Sequence, residues 1–416
     1  MRLFARPIAA ALMITCAAPA IAEELPSPLG LEDLLAAVRA RNPSVAERRQ
    51  RAAAARFLPR IVSLPDDPMA MLEWWQQPTD FSMVPVMLTL KQTIPWRSRL
   101  RLRREVAEWE ARVAGDEANE SELRALAEAR RAYFELVLAE RSLAINQMVQ
   151  TLFDKLVKTS DALYRVGKAV QSDVLNAQSA LLLAQNDGFD LERDRQLMIA
   201  KLNALLDRPA GAPLPPVATG PELSEVAPEA VLLERALRDR PAVRRAMAAL
   251  QAAKQRAGLA RTENYPELSV WTSYMVAFGG VDTFTVGVSS TLPFWGTVRK
   301  RALASAASAE VEAAKRALDA ARRETDTQVH ATVLQIQAAA RHVRLHADKL
   351  VPLADVTMQS ALASYEAGRV PFTTVLDAAR QVRDHHLNHI KFLVESEKAL
   401  ADLSELVAGN VTGSVR

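Results

Sequence analysis

The 416-residue chain has a single cysteine, Cys16. It lies in a stretch that reads as a secretory leader. Arg2 and Arg6 make a positive start, Pro7 to Cys16 is mostly apolar, and Ala20-Ile21-Ala22 is a small-x-small cleavage site before Glu23. About ten apolar residues cannot cross a bilayer, which needs about 20, and Thr15 fits a lipobox poorly. Without residues 1–22 the chain can form no disulfide, thiol nucleophile or cysteine-ligated metal site. An excess of either charge is missing too. Loss of Arg2 and Arg6 leaves 50 basic residues against 49 acidic ones, so nucleic-acid binding has no support from net charge. No later run of about 18 apolar residues occurs, which excludes a transmembrane helix. It does not exclude a β-barrel, whose strands need only roughly 9–11 residues.

Catalytic motifs are also missing: there is no G-x-S-x-G, Walker A, H-E-x-x-H or G-x-G-x-x-G. The expectation is a protein that is not an enzyme and carries no cofactor. Proline is missing over 113 residues between Pro95 and Pro209, a stretch rich in Ala, Leu, Glu and Arg. Apolar residues recur there at Ile145, Val149, Leu152, Leu156 and Leu163, and later at Val333, Ile336, Ala340, Val343, Ala347 and Leu350. Steps of three and four are coiled-coil spacing. Residues 97–166 would make a helix of about 105 Å, wider than an ordinary globular domain.

What is present is a duplication. YRVGKAVQSDVLNA (164–177) returns as YEAGRVPFTTVLDA (365–378), NPSV (42–45) as RPAV (240–243), and TIPW (93–96) as TLPF (291–294). The offsets are 198 to 201 residues, too long for a solenoid repeat. The chain divides into a first repeat at 23–206, a Pro-rich linker at 207–228, a second repeat at 229–408 and a tail at 409–416. Each repeat reads as helix, two strands, very long helix, glycine turn and returning helix. The return over 168–208 is shorter than the long helix it follows. A helix near 230–264 is expected to complete it, with 31–58 completing the return of 372–408. Pro352 should interrupt the second long helix.

The strands alternate. In 86–94, Val86, Leu88, Leu90 and Ile94 share one face; in 284–292, Phe284, Val286, Val288 and Leu292 do. Thr and Ser dominate the other side. Trp96, Phe294 and Trp295 sit at strand ends, where an aromatic girdle would meet a membrane interface. Four strands cannot close a barrel alone, since small closed barrels need about 8. A shared barrel is expected, because open edges are forbidden in lipid.

With the duplication, the paired strands and the two Y-x-x-G-x-x-x-x-x-x-V-L-[ND]-A stretches, the mature chain resembles the TolC family of outer-membrane efflux channels. The resemblance implies a mainly α fold with a small β part: a long coiled-coil α-helical barrel, plus four strands contributed to a shared transmembrane β-barrel. It implies a homotrimer in the outer membrane of a Gram-negative bacterium, in contact with lipid and extending into the periplasm. There it would be the passive exit duct of a tripartite efflux system, with a periplasmic adaptor and an inner-membrane pump of the RND type as partners. Carried over by position, Tyr164, Gly167, Val174 and Leu175, with Tyr365, Gly368, Val375 and Leu376, would form the hairpin tips where the adaptor docks. Asp377 matches an acidic aperture position; Thr374 occupies the other, and Asp173 is its counterpart in the first repeat. PDDPMAML (65–72) with LKQTIPW (90–96) is similar to the CzcC-like heavy-metal branch, which favours metal cations over drugs as cargo.

Two patterns bear on metals directly. All six histidines lie in the second repeat, with His342/His346 and His385/His389 as i,i+4 pairs. Each pair could offer two imidazoles, but two ligands without a third nearby make a weak site, and a solvated helix face is the default reading. Met69, Met71, Met83 and Met87 gather near the strands, and thioethers suit Cu(I), yet Met also fills apolar surface. RSRLRLRR (97–104) reads as a solvated basic helix start or an anionic-lipid contact. A soluble periplasmic coiled-coil scaffold or adaptor is the competing class, decided by whether the strands sit in lipid.

Overall fold

The computed structural model describes residues 26–74, 85–218, 220, 223, 225–263, 265–277, 281–291, 296–409 and 411. The expected leader and Cys16 lie outside them, as do Met83, Leu292, Phe294 and Trp295. The first repeat runs α1 (Leu31–Arg41), α2 (Pro43–Ala55), α3 (Leu58–Val62), β1 (Met69–Trp74), β2 (Pro85–Ile94), α4 (Arg97–Arg165) and α5 (Gln171–Leu205). The second runs α6 (Glu229–Asp239), α7 (Pro241–Thr262), β3 (Leu268–Ala277), β4 (Thr283–Ser290), α8 (Gly296–Leu345), α9 (Val351–Glu366) and α10 (Phe372–Val407). No helix among the described residues is long and apolar enough to cross a membrane.

The 69 residues of α4 span about 100 Å. The helices beside it break where proline enters. Pro43 and Pro241 push the preceding residue out of the helical region: Asn42 has φ −62° and ψ 122°, and Arg240 has φ −60° and ψ 123°. The single helices expected over 31–58 and 230–264 are therefore each divided in two, and a short further helix, α3, starts at Leu58. Asn42 caps α2 by accepting from the Val45 N–H at 3.1 Å and donates to the Leu205 carbonyl of α5 at 3.1 Å. Arg240 instead reaches α8, at Thr325 Oγ1 (2.8 Å) and Gln328 Oε1 (2.7 Å).

The stacking of the short helices differs from the expectation. α5 is continued by α1 and α2 on one flank of α4, and α10 is continued by α6 and α7 between α4 and α8. Each repeat closes on itself. Leu29, ahead of α1, donates to the Pro216 carbonyl and accepts from Ala218 N–H, both at 2.9 Å. Ala227, ahead of α6, donates to the Val411 carbonyl after α10 at 3.3 Å. The linker is thus tied to the segment preceding its own repeat, so the chain order of the short helices does not dictate their neighbours. Leu34, Val38, Tyr133, Leu136 and Leu202 pack behind the first closure, and Leu232, Val329, Leu400 and Leu403 behind the second. On α4, Glu135 takes Lys398 of α10 at 2.8 Å and Lys201 of α5 at 3.5 Å. Burial disfavours its charge, but the two lysines outweigh this and hold its pKa below the usual carboxylate value.

Pro352 is absorbed by a π-helical turn over His346–Leu350. Its last bond runs from Val351 N–H back five residues to the His346 carbonyl. The wider turn relieves the crowding that proline causes in the turn before it.

The four strands form one antiparallel sheet in the order β1-β2-β3-β4. β1, preceded by Pro65 and Pro68, nevertheless pairs residue for residue with β2, from Met69↔Lys91 to Trp74↔Val86. Leu88, Leu90, Ile94, Leu268, Tyr274, Phe284, Val286 and Val288 share one face and are exposed. Thr89, Ser269 and Ser273 share the other and are buried. Hydrophobic and polar sides are thus reversed relative to a sheet packed on a soluble core.

Replacing Asn42 with Ala removes the α2 cap and the bond to Leu205. We expect a loss of about 1–2 kcal/mol. Asn42→Asp keeps the cap but sets a buried carboxylate oxygen against the Leu205 carbonyl and should cost at least as much as Asn42→Ala. Thermal unfolding of the three proteins checks the order.

Candidate functional site

The far ends of α4–α5 and α9–α10 are two hairpin tips built alike. Gly167 has φ +73° and Gly368 φ +70°, the left-handed conformation that glycine adopts without a Cβ penalty. Gly167 N–H reaches the Tyr164 carbonyl and Lys168 N–H the Leu163 carbonyl, both at 2.9 Å. Gly368 reaches Tyr365 at 2.8 Å and Arg369 reaches Ser364 at 2.9 Å. Both are Schellman endings, with paired 5→2 and 6→1 bonds. Extended residues Val170 and Pro371 then start the next helix.

The side chains make the two tips unlike. Tyr365 is 5% exposed, edge-on to Phe372 at 5.5 Å, and donates its hydroxyl to Asp173 Oδ2 at 3.2 Å. Burial, then the Asp173 carboxylate, push its pKa up to about 12. Its counterpart Tyr164 is 45% exposed. Val375 is buried with Phe372 in the seam where α9 and α10 meet α4 and α5, whereas Val174 is half-buried and Leu175 exposed. Val166 and Val170 are exposed beside them. The first tip therefore supplies an apolar surface. In the second, Tyr365 and Val375 face inward and Leu376 is half-buried. Thr374 and Asp377 are exposed together on α10, with Asp377 3.5 Å from Arg380. The equivalence of Asp173 with Thr374 is legible in the sequence, but the Tyr365–Asp173 bond between hairpins is not. Its signal is a tyrosine three residues before one turn glycine and an aspartate six after the other.

At the opposite end Trp96 is exposed, donates Nε1–H to the Pro266 carbonyl at 2.8 Å and meets Tyr265 edge-on at 6.2 Å. The basic start of α4 is largely paired: Arg99 with Glu267 ahead of β3, Arg101 with Glu105 and Arg104 with Glu108. His330 meets Glu229 of α6 at 2.8 Å, while His342, His346 and His385 lie where the end of α8 meets α10. His342 stacks on Phe392 at 4.5 Å, and His346 is buried, its ring 5.7 Å from that of His385. His346 Nδ1 lies 2.9 Å from the His342 carbonyl oxygen. His386 meets Asp355 at 3.3 Å. Burial, then His346 and His386, hold the His389 pKa below the ordinary value. Among the described residues no group of three or more His, Cys, Asp or Glu is placed to hold a metal ion.

The helical wall is about 100 Å long and ends in a sheet whose apolar face is exposed. The family model for outer membrane efflux proteins matches residues 33–208 and 232–409, and the chain belongs to that family. No curated protein matches it in sequence. Among solved structures, a membrane protein from Pseudomonas aeruginosa is similar at 22% identity and TM-score 0.78, covering 91% of this chain and 93% of that one. CusC is similar at 15% and 0.80, covering 91% and 92%. The outer membrane protein VceC from Vibrio cholerae is similar at 17% and 0.78, covering 91% and 96%. The resemblance to TolC-type channels read from the repeats thus holds. Channels of this family are homotrimers in the Gram-negative outer membrane that reach into the periplasm and work with an adaptor and an inner-membrane pump.

Two tests follow from the tips. Gly167→Ala should cost about 1–2 kcal/mol, because left-handed backbone penalises a Cβ even in open space, and Gly167→Asn less; thermal melting compares them. The Tyr365 pKa is raised above its ordinary value of 10, so its contribution is full below pH 10 and is lost as pH rises through about 12. An ultraviolet difference titration of wild type against Tyr365→Phe should show one tyrosinate forming near pH 12.

Proposed function

We propose that three copies of this chain form the exit duct of a tripartite efflux system, closed at the periplasmic tips and open through a lipid-embedded barrel. The observation that carries this reading is the reversed sheet. Phe284 is 68% exposed while Ser273, on the opposite face, is 6% exposed. Lipid outside and water inside would satisfy both faces, whereas a soluble scaffold needs the opposite arrangement. The outer edges of β1 and β4 have no partner among the described residues; pairing β4 of one copy with β1 of the next would close twelve strands and leave no edge.

In this reading the gate is held by the bond from Tyr365 to Asp173, which ties the α9–α10 hairpin to α4–α5. Thr374 and Asp377, exposed on α10, would line the aperture. The exposed Tyr164, Val166, Val170 and Leu175 would receive the adaptor's apolar residues, with Gly167 and Gly368 shaping the two turns. Trp96, Phe294 and Trp295 would lie at the membrane interface. The pump is of the RND type, and the cargo is a heavy-metal cation rather than a drug. The support for that cargo is the likeness of residues 65–72 and 90–96 to CzcC-like channels.

Planar-bilayer recording of the purified protein tests the duct and its latch together. Wild type should conduct weakly, and Tyr365→Phe should raise single-channel conductance several-fold. Absence of any channel in both proteins would refute the duct, and equal conductance would refute the latch.

A further inference from the structure

The register of the sheet brings methionines together that lie far apart in sequence. Met87 of β2 stands directly opposite Met275 of β3, and Met71 of β1 stands opposite Thr89, one position diagonal to Met87. Met69 lies on the same face, opposite Lys91. Four of the chain's 11 methionines thus share the polar side of the sheet, and the described strands carry none on the apolar side.

Their placement runs against the pattern around them. The remaining residues of that face are mainly Thr, Ser, Lys91 and Glu73, as befits a wall facing water. An apolar side chain gains nothing there from burial in lipid. Trp271, the other large apolar residue on this face, lies over Gly287, where an added Cβ would come within 2.4 Å of its ring; Met69 and Met71, by contrast, are exposed. Directly opposed side chains have Cβ atoms about 4.5–5.5 Å apart, and diagonal ones lie within reach of long side chains. Methionine has three flexible torsions and a polarizable sulfur. Several thioethers converging from neighbouring strands is the ligand set that soft monovalent cations prefer over Zn²⁺ or Mg²⁺.

We propose that Met71, Met87 and Met275 form a thioether site for Cu(I) or Ag(I) on the pore-facing side of the barrel. This rests on the channel reading, which makes the polar face the lumen. Glu73, opposite Met87, supplies a charge that draws the cation in. Neutral thioethers need no deprotonation to bind, so the site works where histidines are protonated.

The test is titration of the purified full-length mature trimer with silver nitrate, in chloride-free nitrate buffer at about pH 5, where ordinary histidines are charged. Equilibrium dialysis with metal analysis should show micromolar binding. The triple variant M71L/M87L/M275L keeps volume and apolarity and should bind at least about tenfold more weakly. A control triple variant in the helices, M148L/M198L/M247L, should bind like wild type. No silver uptake by wild type, or equal uptake by the strand variant, overturns the site. The same samples are recorded in bilayers in potassium nitrate. Protein that conducts but binds no silver overturns the site and leaves the channel standing. Protein that forms no channels overturns the channel reading itself.

Discussion

An unpaired backbone N–H or C=O cannot be left in hydrocarbon. That constraint organises the rest of this structure. Among the described residues the sheet has four strands and two open edges, and its exposed side is apolar. Such a sheet is stable in lipid only when other copies complete it. Each copy must then reach the membrane at a fixed angle around a common axis. The helices inherit that arrangement. They do not pack into a ball, since α4 alone, with 69 residues, spans about 100 Å. They form instead a wall, one layer thick, held sideways by contacts such as Glu135 with Lys398 and Lys201.

Much of this was legible in the sequence, for physical reasons that can be named. Alternation over 86–94 and 284–292 set the faces of the strands because the side-chain period of a strand is two. The absence of proline between Pro95 and Pro209 permitted a 69-residue helix. Prolines at equivalent places, Pro43 and Pro241, did the reverse, and helices expected to be continuous are broken at Asn42 and Arg240. The stacking of α5 on α2 was not legible. It depends on backbone bonds between Leu29 and the linker, which leave no periodic trace.

The candidate site was readable in part. Two matching glycine turns can be found by comparing the halves of the chain, but which tyrosine is buried cannot. Tyr164 and Tyr365 occupy the same place in matching motifs, but Tyr365 lies against a neighbouring hairpin with an acceptor in reach. Symmetry in the sequence thus becomes asymmetry in the fold. The thioether row has the same character. Met69, Met71 and Met87 stand close in sequence, but Met275 joins them only through the register of β2 with β3.

The closure of each repeat upon itself has a consequence for how such a molecule is made. Leu29 and Ala227 perform the same stitch, each fastening the head of its own half to its own tail. The halves are not independent, for Val394 of α10 lies in the core of the first and α7 of the second packs on α4 of the first. Each half nevertheless repeats the element order of a half-length polypeptide: short helices, two strands, a long helix and a returning one. In that light the present chain is two such polypeptides fused, and the Pro-rich segment between them is the seam. Fusion frees the halves to diverge, so that one can keep the latch while the other turns its tyrosine outward.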